Sequence, residues 1–346
     1  MSEQAPLKWH SPKDAPFGLA GFAWFATDRV YRRLPVKPKH PLPKAVDSLA
    51  NCTAGGQIRF QTDSPRLSVR VRLSGVANMN HMPATGQCGF DCYLGPTGRQ
   101  RYCITTKYDH KQTSYECLLF ELPRTEMRNV TLNFPLYQGV AEVLVGLDEK
   151  AEILPPPPYK NEKLVVVYGT SITQGGCACR PGMAYTNILS RRLNVEFINL
   201  GFSGSGRGEP EVAQTIAEIP NPACLVLDYE ANCASSELLQ KTFPEFIRIL
   251  RSAHPKVPIL AISRIPAASE SFNEAALKTR LERRDFQKRT VEELRTKGDR
   301  AISFKDGSDL LGEGFDECTV DGSHPTDLGF LRMADGLTPV LKKILG

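Results

Sequence analysis

The sequence predicts two domains, a β-sandwich followed by an α/β domain with a flavodoxin-like, doubly wound parallel sheet, and three observations support this fold class. The chain has 346 residues, a length that suits two domains better than one or three. Its first half contains short segments of alternating apolar residues, whereas its second half contains continuous apolar runs separated by segments of helical length. Four consecutive prolines, Pro155 to Pro158, lie between the halves. We predict a β-sandwich domain over residues 1–154, an extended proline-rich linker over 155–160 and an α/β domain over 161–346.

The alternation in the first half is clearest at Leu67, Val69, Val71 and Leu73, which are separated by polar residues. A period of two places these apolar side chains on one face of a half-buried strand. The predicted strands of this half are 57–60, 67–73, 89–94, 115–122, 130–134 and 142–147. Short strands at this spacing are typical of a β-sandwich, which we expect to be jelly-roll-like and smaller than the second domain.

The apolar runs of the second half have the pattern of strands that are covered by helices on both faces. The predicted strands are 164–168, 196–200, 224–229, 259–262 and 301–304. Strands that alternate with helices form a parallel sheet. The carboxyl ends of such strands meet at one edge, so the functional residues of this domain are expected directly after them.

Charge and hydropathy exclude two classes of partner. The net charge of +5 is spread over both halves without a basic run interleaved with aromatic residues, so we expect no nucleic acid partner. The N-terminus lacks the basic and apolar regions of a signal peptide, and no apolar run approaches the ~18 residues that span a bilayer. We therefore expect a cytoplasmic protein without a membrane partner, and the sequence predicts no oligomeric state.

The ten cysteines are expected to be free thiols, because a chain of this length needs no disulfides and carries no export signal. Cys88 and Cys92, and likewise Cys177 and Cys179, lack the C-x-x-C spacing of structural zinc sites. We interpret these four residues as small buried hydrophobic side chains, and we predict neither a metal nor a cofactor.

The turn after the first strand of the second half, residues 169–176, presents the hydroxyl group of Ser171 between glycines. It is not a P-loop, since five residues separate its glycines and no lysine follows. The dinucleotide pattern G-x-G-x-x-G is also missing, and Thr173 replaces the second glycine of a G-x-S-x-G elbow. Taken alone, the segment is better explained as a plain turn than as a functional loop.

Three further segments bring polar groups to the same edge of the predicted sheet. A glycine-rich loop over 199–206 follows the second strand, and Asn232 follows the third. Near the C-terminus, Asp321 and His324 stand three positions apart before a predicted helix. None of these signals is specific by itself, but their order along the chain is informative.

In this order, G-x-S, N-x-G-x-x-G, an asparagine after the third strand and D-x-x-H-P resemble the four blocks of the SGNH/GDSL hydrolase family. The resemblance covers about half of the chain. It implies that Ser171 is the nucleophile, that His324 is the general base and that Asp321 orients it. It also implies an oxyanion hole formed by the backbone N–H groups of Ser171 and Gly204 and by the side-chain amide of Asn232.

The chemistry of these residue types agrees with the implied roles. A serine hydroxyl is a weak nucleophile until an imidazole takes its proton, and a carboxylate fixes that imidazole in the required tautomer. The chain departs from the usual blocks at Thr170, where the family has aspartate, and at Glu230 and Cys233, where it has glycine and aspartate. These departures leave the assigned groups intact but imply a divergent branch with its own substrate.

A second resemblance lies in the predicted sandwich. Residues 89–93 read G-F-D-C-Y and are similar to the G-x-D-L-Y element of a β-sandwich that precedes certain SGNH domains, with Cys92 in place of leucine. This resemblance implies a two-domain enzyme that acts on acylated sugars or other acylated small molecules, or that transfers the acyl group.

Four further residues are candidates for substrate binding. His81 lies in a polar segment between two predicted strands and is a candidate to lean over the catalytic edge, with a surface turn as the alternative. Arg180, Arg207 and Arg264 lie close to predicted strand ends and are candidates to bind an anionic substrate group. The alternative for each arginine is a surface cation.

The predicted function is hydrolysis of a short-chain acyl ester, such as acetyl, of a carbohydrate or another small molecule through an acyl-serine intermediate. An acyltransferase would use the same residues and differ only in the acceptor. A catalytically silent carbohydrate-binding protein is a third alternative, although such a protein has no need for a complete set of catalytic groups.

Overall fold

A computed structural model gives the fold of residues 6–346, and within these residues the first half of the chain consists mainly of short strands. Its strands are β1 (Leu7–His10), β2 (Gly18–Ala20), β3 (Gln57–Thr62), β4 (Arg66–Leu73), β5 (Asp91–Leu94), β6 (Arg101–Thr105), β7 (Ser114–Glu121), β8 (Arg128–Asn133), β9 (Val140–Asp148) and β10 (Ile153–Leu154). Its helices are α1 (Phe25–Asp28), α2 (Lys44–Leu49) and α3 (Ala84–Cys88).

These strands form two antiparallel sheets that enclose one core. The first sheet has the order β1-β9-β4-β7, and the second has the order β10-β3-β8-β5-β6 with β2 beside β3. The alternation predicted for β4 is present, since Leu67 and Val69 are fully buried while Arg70 is exposed. These two residues share a core with Phe60 and Leu132 of the second sheet. The predicted β-sandwich is therefore confirmed.

The second half of the chain alternates strands and helices. Its strands are β11 (Asn161–Gly169), β12 (Val195–Gly201), β13 (Cys224–Asp228), β14 (Ile259–Ile262) and β15 (Ile302–Lys305). Its helices are α4 (Ser171–Gln174), α5 (Tyr185–Leu193), α6 (Pro210–Ala217), α7 (Ser236–Ala253), α8 (Glu274–Thr296) and α9 (Asp327–Leu345).

The five strands form a parallel sheet with the order β12-β11-β13-β14-β15, which is the flavodoxin-like arrangement that the sequence predicts. Val165 and Val167 pack into the core on one face of the sheet, and Val166 packs into the core on the other. In the register of the central strands, Gly169 lies opposite both Gly201 and Asp228. Three neighbouring strands therefore end at one level, and the segments that follow them meet there.

The strands that the sequence pattern missed, β1, β2, β6 and β10, lie at the margins of the sandwich sheets and are two to five residues long. All ten cysteines are free thiols, as predicted. Across residues 6–346, no helix has the length and apolar character that crossing a membrane requires.

The proline-rich segment lies against the sandwich. The Gln61 side-chain amide donates a hydrogen bond to the carbonyl of Pro155 at 2.7 Å, and the Arg59 guanidinium donates to that of Pro157 at 2.8 Å. The Tyr159 hydroxyl donates to Gln57 at 2.8 Å. These bonds fix the direction in which the chain enters β11.

Asp91, the aspartate of the G-F-D-C-Y segment, joins the two domains. Its side chain is fully buried, and one carboxylate oxygen accepts hydrogen bonds from the Gly182 backbone N–H at 2.7 Å and from Arg180 at 2.9 Å. The other oxygen accepts from Asn133 at 2.7 Å. Because Gly182 and Arg180 belong to the second domain, this carboxylate holds the sandwich against the segment that follows the nucleophile turn.

Candidate active site

The turn after β11 presents Ser171 as the first residue of α4. Thr170 precedes it at the N-cap position, where its hydroxyl oxygen accepts a hydrogen bond from the Ile172 backbone N–H at 3.2 Å. The threonine that replaces the family's aspartate therefore still caps the helix. Gly175 ends the helix in the left-handed conformation, with a φ of 102°. Ser171 itself is buried beside the sheet edge.

His324 and Asp321 complete a hydrogen-bonded relay with this serine. The Ser171 Oγ lies 2.8 Å from His324 Nε2, and His324 Nδ1 lies 2.7 Å from Asp321 Oδ2. The second Asp321 oxygen accepts from the backbone N–H groups of His324 at 2.8 Å and Ser323 at 3.0 Å. The carboxylate therefore anchors both the imidazole and the turn that carries it. The three residues lie in the arrangement of a serine hydrolase triad.

The environment of Asp321 favours its ionised form. Burial opposes ionisation, but the hydrogen bonds from the His324 backbone and imidazole and from Ser323 outweigh it and hold the pKa of this carboxyl below its usual value. Asp321 is thus a carboxylate that can stabilise the positive charge of the imidazolium during proton transfer. The side chains of His324 and Asp321 are 26% and 36% exposed, so the site opens directly to solvent.

Two glycines allow the loop after β12 to pack against the nucleophile turn. A Cβ atom at Gly201 would lie 2.2 Å from the Gln174 backbone nitrogen, and one at Gly206 would lie 2.1 Å from the carbonyl oxygen of Gly169. Such distances exclude any larger residue at either position. The Asn199 side chain joins the end of β12 to the nucleophile turn by donating to the Thr173 carbonyl at 2.6 Å.

Arg33, from the first half of the chain, binds the backbone at the end of β12. Its guanidinium is fully buried and donates hydrogen bonds to the carbonyls of Asn199 at 3.3 Å and Gly201 at 2.5 Å. Burial lowers the pKa of Arg33 to about 10. Nothing in the sequence around Arg33 indicated this role, because its partners lie more than 160 positions away along the chain.

Two of the three predicted oxyanion donors, Gly204 and the Asn232 side chain, are linked through the loop after β12. Gly204 is exposed at its tip with a φ of 66°, and a Cβ atom there would meet nothing within 4 Å. The Phe202 carbonyl accepts hydrogen bonds from the backbone of Gly206 at 3.0 Å and from the Asn232 side chain at 3.1 Å. Asn232 is thereby oriented toward the loop that carries Gly204. The role of Asn232 as an oxyanion donor stays a prediction.

Residues of the first domain contact the turn that carries Ser171, and the sequence did not predict these contacts. The Tyr137 hydroxyl donates a hydrogen bond to the Ser171 carbonyl at 3.2 Å, and the Gln174 amide donates to the Leu136 carbonyl at 3.1 Å. Tyr137 and Leu136 follow β8 of the sandwich. The orientation of the nucleophile turn therefore depends on both domains.

His81 also reaches the site from the sandwich. Its ring centroid lies 5.9 Å from that of His324, so its predicted place over the catalytic edge fits the structure, while substrate binding by it stays a prediction. Cys177 lies beside both histidines, with its sulfur and the ring nitrogens within 4.8 Å of one another. Cys177 is buried, as the sequence predicts, but its thiol belongs to the active site rather than to a purely hydrophobic contact.

The structure corrects the prediction of substrate binding for two arginines. Arg180 pairs with the buried Asp91 at the domain contact. Arg264 pairs with Glu270 at 2.7 Å, and its Nε lies 3.9 Å from a Glu230 oxygen. Buried carboxylates neutralise both guanidinium groups, so neither is available to an anionic substrate.

Arg207 differs from these two arginines. It is exposed and donates through Nε and Nη2 to the Gly204 carbonyl at 3.1 and 2.7 Å. Its guanidinium thus stabilises the loop that carries Gly204. A contact between Arg207 and the substrate stays a prediction.

Comparison with known proteins agrees with this geometry. Residues 162–342 match the model of the GDSL-like Lipase/Acylhydrolase family, a match over more than half of the chain. The chain belongs to the GDSL-like lipase/acylhydrolase family. Residues 7–153 of this GDSL family member match the GxDLY model, described as the N-terminus of Esterase_SGNH_hydro-type proteins.

Solved structures share both domains of this GDSL protein. A Bacteroides ovatus protein described as a GDSL-like lipase is 30% identical, covers 98% of each chain and has a TM-score of 0.87. The salicylyl-acyltransferase SsfX3 from a tetracycline biosynthetic pathway is 20% identical over 98% of this chain and 97% of its own, with a TM-score of 0.77. A family two carbohydrate esterase from Cellvibrio japonicus is 15% identical over 99% of each chain, with a TM-score of 0.61. No curated protein sequence matches this chain.

Proposed function

We propose that this protein is a serine esterase that removes a short acyl group, such as acetyl, from a carbohydrate or another small hydroxylated molecule. The observation that carries the proposal is the relay from Ser171 Oγ through His324 to Asp321, with contacts of 2.8 and 2.7 Å. A hydroxyl, an imidazole and a carboxylate at these distances have the geometry of nucleophilic acyl transfer.

In the acylation step, His324 Nε2 takes the proton of Ser171 as Oγ attacks the ester carbonyl carbon. Negative charge develops on the carbonyl oxygen, where the N–H groups of Ser171 and Gly204 and the Asn232 amide would stabilise it. Asp321 stabilises the imidazolium that forms. His324 then protonates the leaving alcohol oxygen, and the acyl group remains on Ser171.

In the deacylation step, His324 removes a proton from water, and the resulting hydroxide attacks the acyl-serine carbonyl. The carboxylic acid leaves when the imidazolium returns its proton to Ser171 Oγ, which restores the starting state. Each proton transfer uses the same imidazole nitrogen. The solvent exposure of His324 and Asp321 gives water a path to the acyl-serine.

Two observations support a small hydrophilic substrate. His81 lies beside His324, Asn80 contacts His81, and Arg207 contacts the loop that carries Gly204. These three side chains are polar and at least partly exposed, which suits a hydroxylated leaving group. Structural relatives with the same two-domain arrangement include the family two carbohydrate esterase from Cellvibrio japonicus. By similarity to that relative, we propose an acylated carbohydrate as the substrate.

Transfer of the acyl group to an alcohol is the second candidate, since the relative SsfX3 is described as an acyltransferase and shares both domains. Transfer differs from hydrolysis only in the nucleophile of the second step. A silent carbohydrate-binding protein is the weaker alternative, because the complete relay has no purpose in such a protein.

The test is a panel of acetyl, butyryl and octanoyl esters together with acetylated sugars, with and without a sugar alcohol as acceptor. We expect the wild type to prefer acetyl and to release the free acid, and we expect Ser171→Ala to lose this activity. A preference for octanoyl would contradict the short acyl group, and ester formation only when the acceptor is present would identify a transferase. Undiminished activity of Ser171→Ala would contradict the proposal as a whole.

A further inference from the structure

Three possible metal ligands converge at the catalytic base from separate parts of the chain. His81 comes from the sandwich, Cys177 from the turn after α4 and His324 from the C-terminal segment, and their nitrogen and sulfur ligand atoms all lie within 4.8 Å of one another. We propose that His81, Cys177 and His324 form a binding site for Zn²⁺ or a similar divalent transition metal, and that the bound ion inhibits the enzyme reversibly. The inhibition, though not the binding, rests on the proposed function.

The ligand types select this class of ion. Imidazole nitrogen and thiolate sulfur are the ligands that Zn²⁺ prefers, at about 2.0–2.1 Å and about 2.3 Å, and Mg²⁺ and Ca²⁺ prefer oxygen. Tetrahedral geometry with these bond lengths places neighbouring ligand atoms roughly 3.3–3.6 Å apart. Ligand atoms that lie up to 4.8 Å apart therefore have to approach by about 1.2–1.5 Å at most. His81 is only half-buried in an irregular segment, which allows it to make this movement.

In each histidine Nδ1 contacts a neighbouring side-chain oxygen, so Nε2 is the nitrogen left to bind an ion, and at His324 the ion would replace the 2.8 Å contact with Ser171 Oγ. His324 Nδ1 is 2.7 Å from the Asp321 carboxylate, so the lone pair of this imidazole is on Nε2. A carboxylate behind a metal-binding histidine is the usual supporting arrangement at zinc sites, where it fixes the ring and raises its basicity. His81 Nδ1 is 3.1 Å from the Asn80 side-chain oxygen, which leaves His81 Nε2 for the ion.

Cys177 has a strained backbone conformation, which is frequent at functional sites. Its φ of 75° lies in the left-handed region, and this region is less favourable for a residue with a Cβ atom than for glycine. Gly175 and Gly176 precede Cys177 in the turn. A free cysteine is a thiol at neutral pH, and a bound cation would supply the positive charge that stabilises its thiolate.

Binding and catalysis compete for one lone pair. His324 Nε2 lies 2.8 Å from Ser171 Oγ and accepts its proton during catalysis. When Nε2 donates that lone pair to the metal, it no longer acts as a base. Cys177 releases its thiol proton to solvent as sulfur binds, and Ser171 stays a hydroxyl. One proton leaves for each ion bound, and removal of the ion by a chelator restores the base.

The test measures binding and inhibition separately. Protein treated with EDTA and desalted is titrated with Co²⁺, whose thiolate complexes absorb in the near ultraviolet, and with Zn²⁺ by calorimetry. We expect one ion per chain, a sulfur-to-cobalt absorption band, and inhibition by Zn²⁺ that EDTA reverses. Cys177→Ala should abolish the band and weaken Zn²⁺ binding by tenfold or more, and His81→Ala should weaken it similarly. Cys179→Ala, a thiol two positions away, is the matched control and should behave as the wild type.

The outcomes separate the two proposals. A band and stoichiometric binding without any ester hydrolysis would support the metal site and contradict the esterase. Equal Zn²⁺ affinity and equal inhibition of Cys177→Ala and Cys179→Ala, each relative to its own metal-free activity, would overturn the metal site and leave the esterase untouched. Absence of the cobalt band in the wild type would likewise overturn it.

Discussion

Ser171→Ala and His324→Ala are each expected to lower kcat for the best ester by roughly 10⁴–10⁶-fold, and the double variant is expected to be hardly worse than either single one. The two side chains act as one unit, because the Ser171 oxygen becomes a nucleophile only when His324 takes its proton across their 2.8 Å contact. Once one partner is missing, the other has nothing left to contribute.

The measurement is steady-state kinetics of the four proteins at saturating substrate, with circular dichroism to show that each is folded. His110→Ala serves as the control, since His110 is exposed on the sandwich, and should keep wild-type kinetics. A double variant whose loss equals the product of the two single losses would show that the residues act independently. That result would contradict the relay.

Asp91→Ala is expected to lower the free energy of unfolding by about 3–5 kcal/mol, the effect of removing one partner of a buried ion pair. Asp91 is fully buried and accepts hydrogen bonds from Arg180, Gly182 and Asn133. Alanine leaves the Arg180 charge, which is only 16% exposed, and the buried Gly182 N–H group without partners. Because these groups lie in different domains, the substitution weakens the contact between them.

Urea unfolding followed by tryptophan fluorescence and circular dichroism measures this loss. Glu116→Ala is the matched control, because it removes an ion pair with Arg70 in which both side chains are about half exposed. Such a pair contributes about 0–1 kcal/mol. If Asp91→Ala destabilises no more than Glu116→Ala, the structural role assigned to the G-F-D-C-Y segment is wrong.

The fold was largely predictable because its signals are local. The alternation at Leu67 and Val69 and the apolar run that ends at Gly169 each reflect the burial of a single strand. The missed strands lie at sheet margins, where most residues are only partly buried and the alternation of buried and exposed residues fades. For example, Arg101 and Tyr102 at the start of β6 are both exposed.

The relay was also predictable, since Ser171 directly follows β11 and Asp321 and His324 precede α9, in the order of the family's sequence blocks. The contacts around the relay were not predictable, because they form between residues that are far apart along the chain. Arg180 resembled a free cation in sequence, but its partner Asp91 stands 89 positions away. For the same reason the sequence indicates only a small hydrophobic residue at Cys177, since only the tertiary fold brings His81 beside it.

The most direct test of the central claim is to identify the atom that carries the acyl group. Wild-type protein is mixed with an excess of p-nitrophenyl acetate, quenched with acid within the first turnover, digested and analysed by mass spectrometry. We predict one acetyl group on the peptide that contains Ser171, located to that residue by fragmentation and absent from Ser171→Ala. Acetyl on another residue, or an equal amount in Ser171→Ala, would contradict Ser171 as the nucleophile.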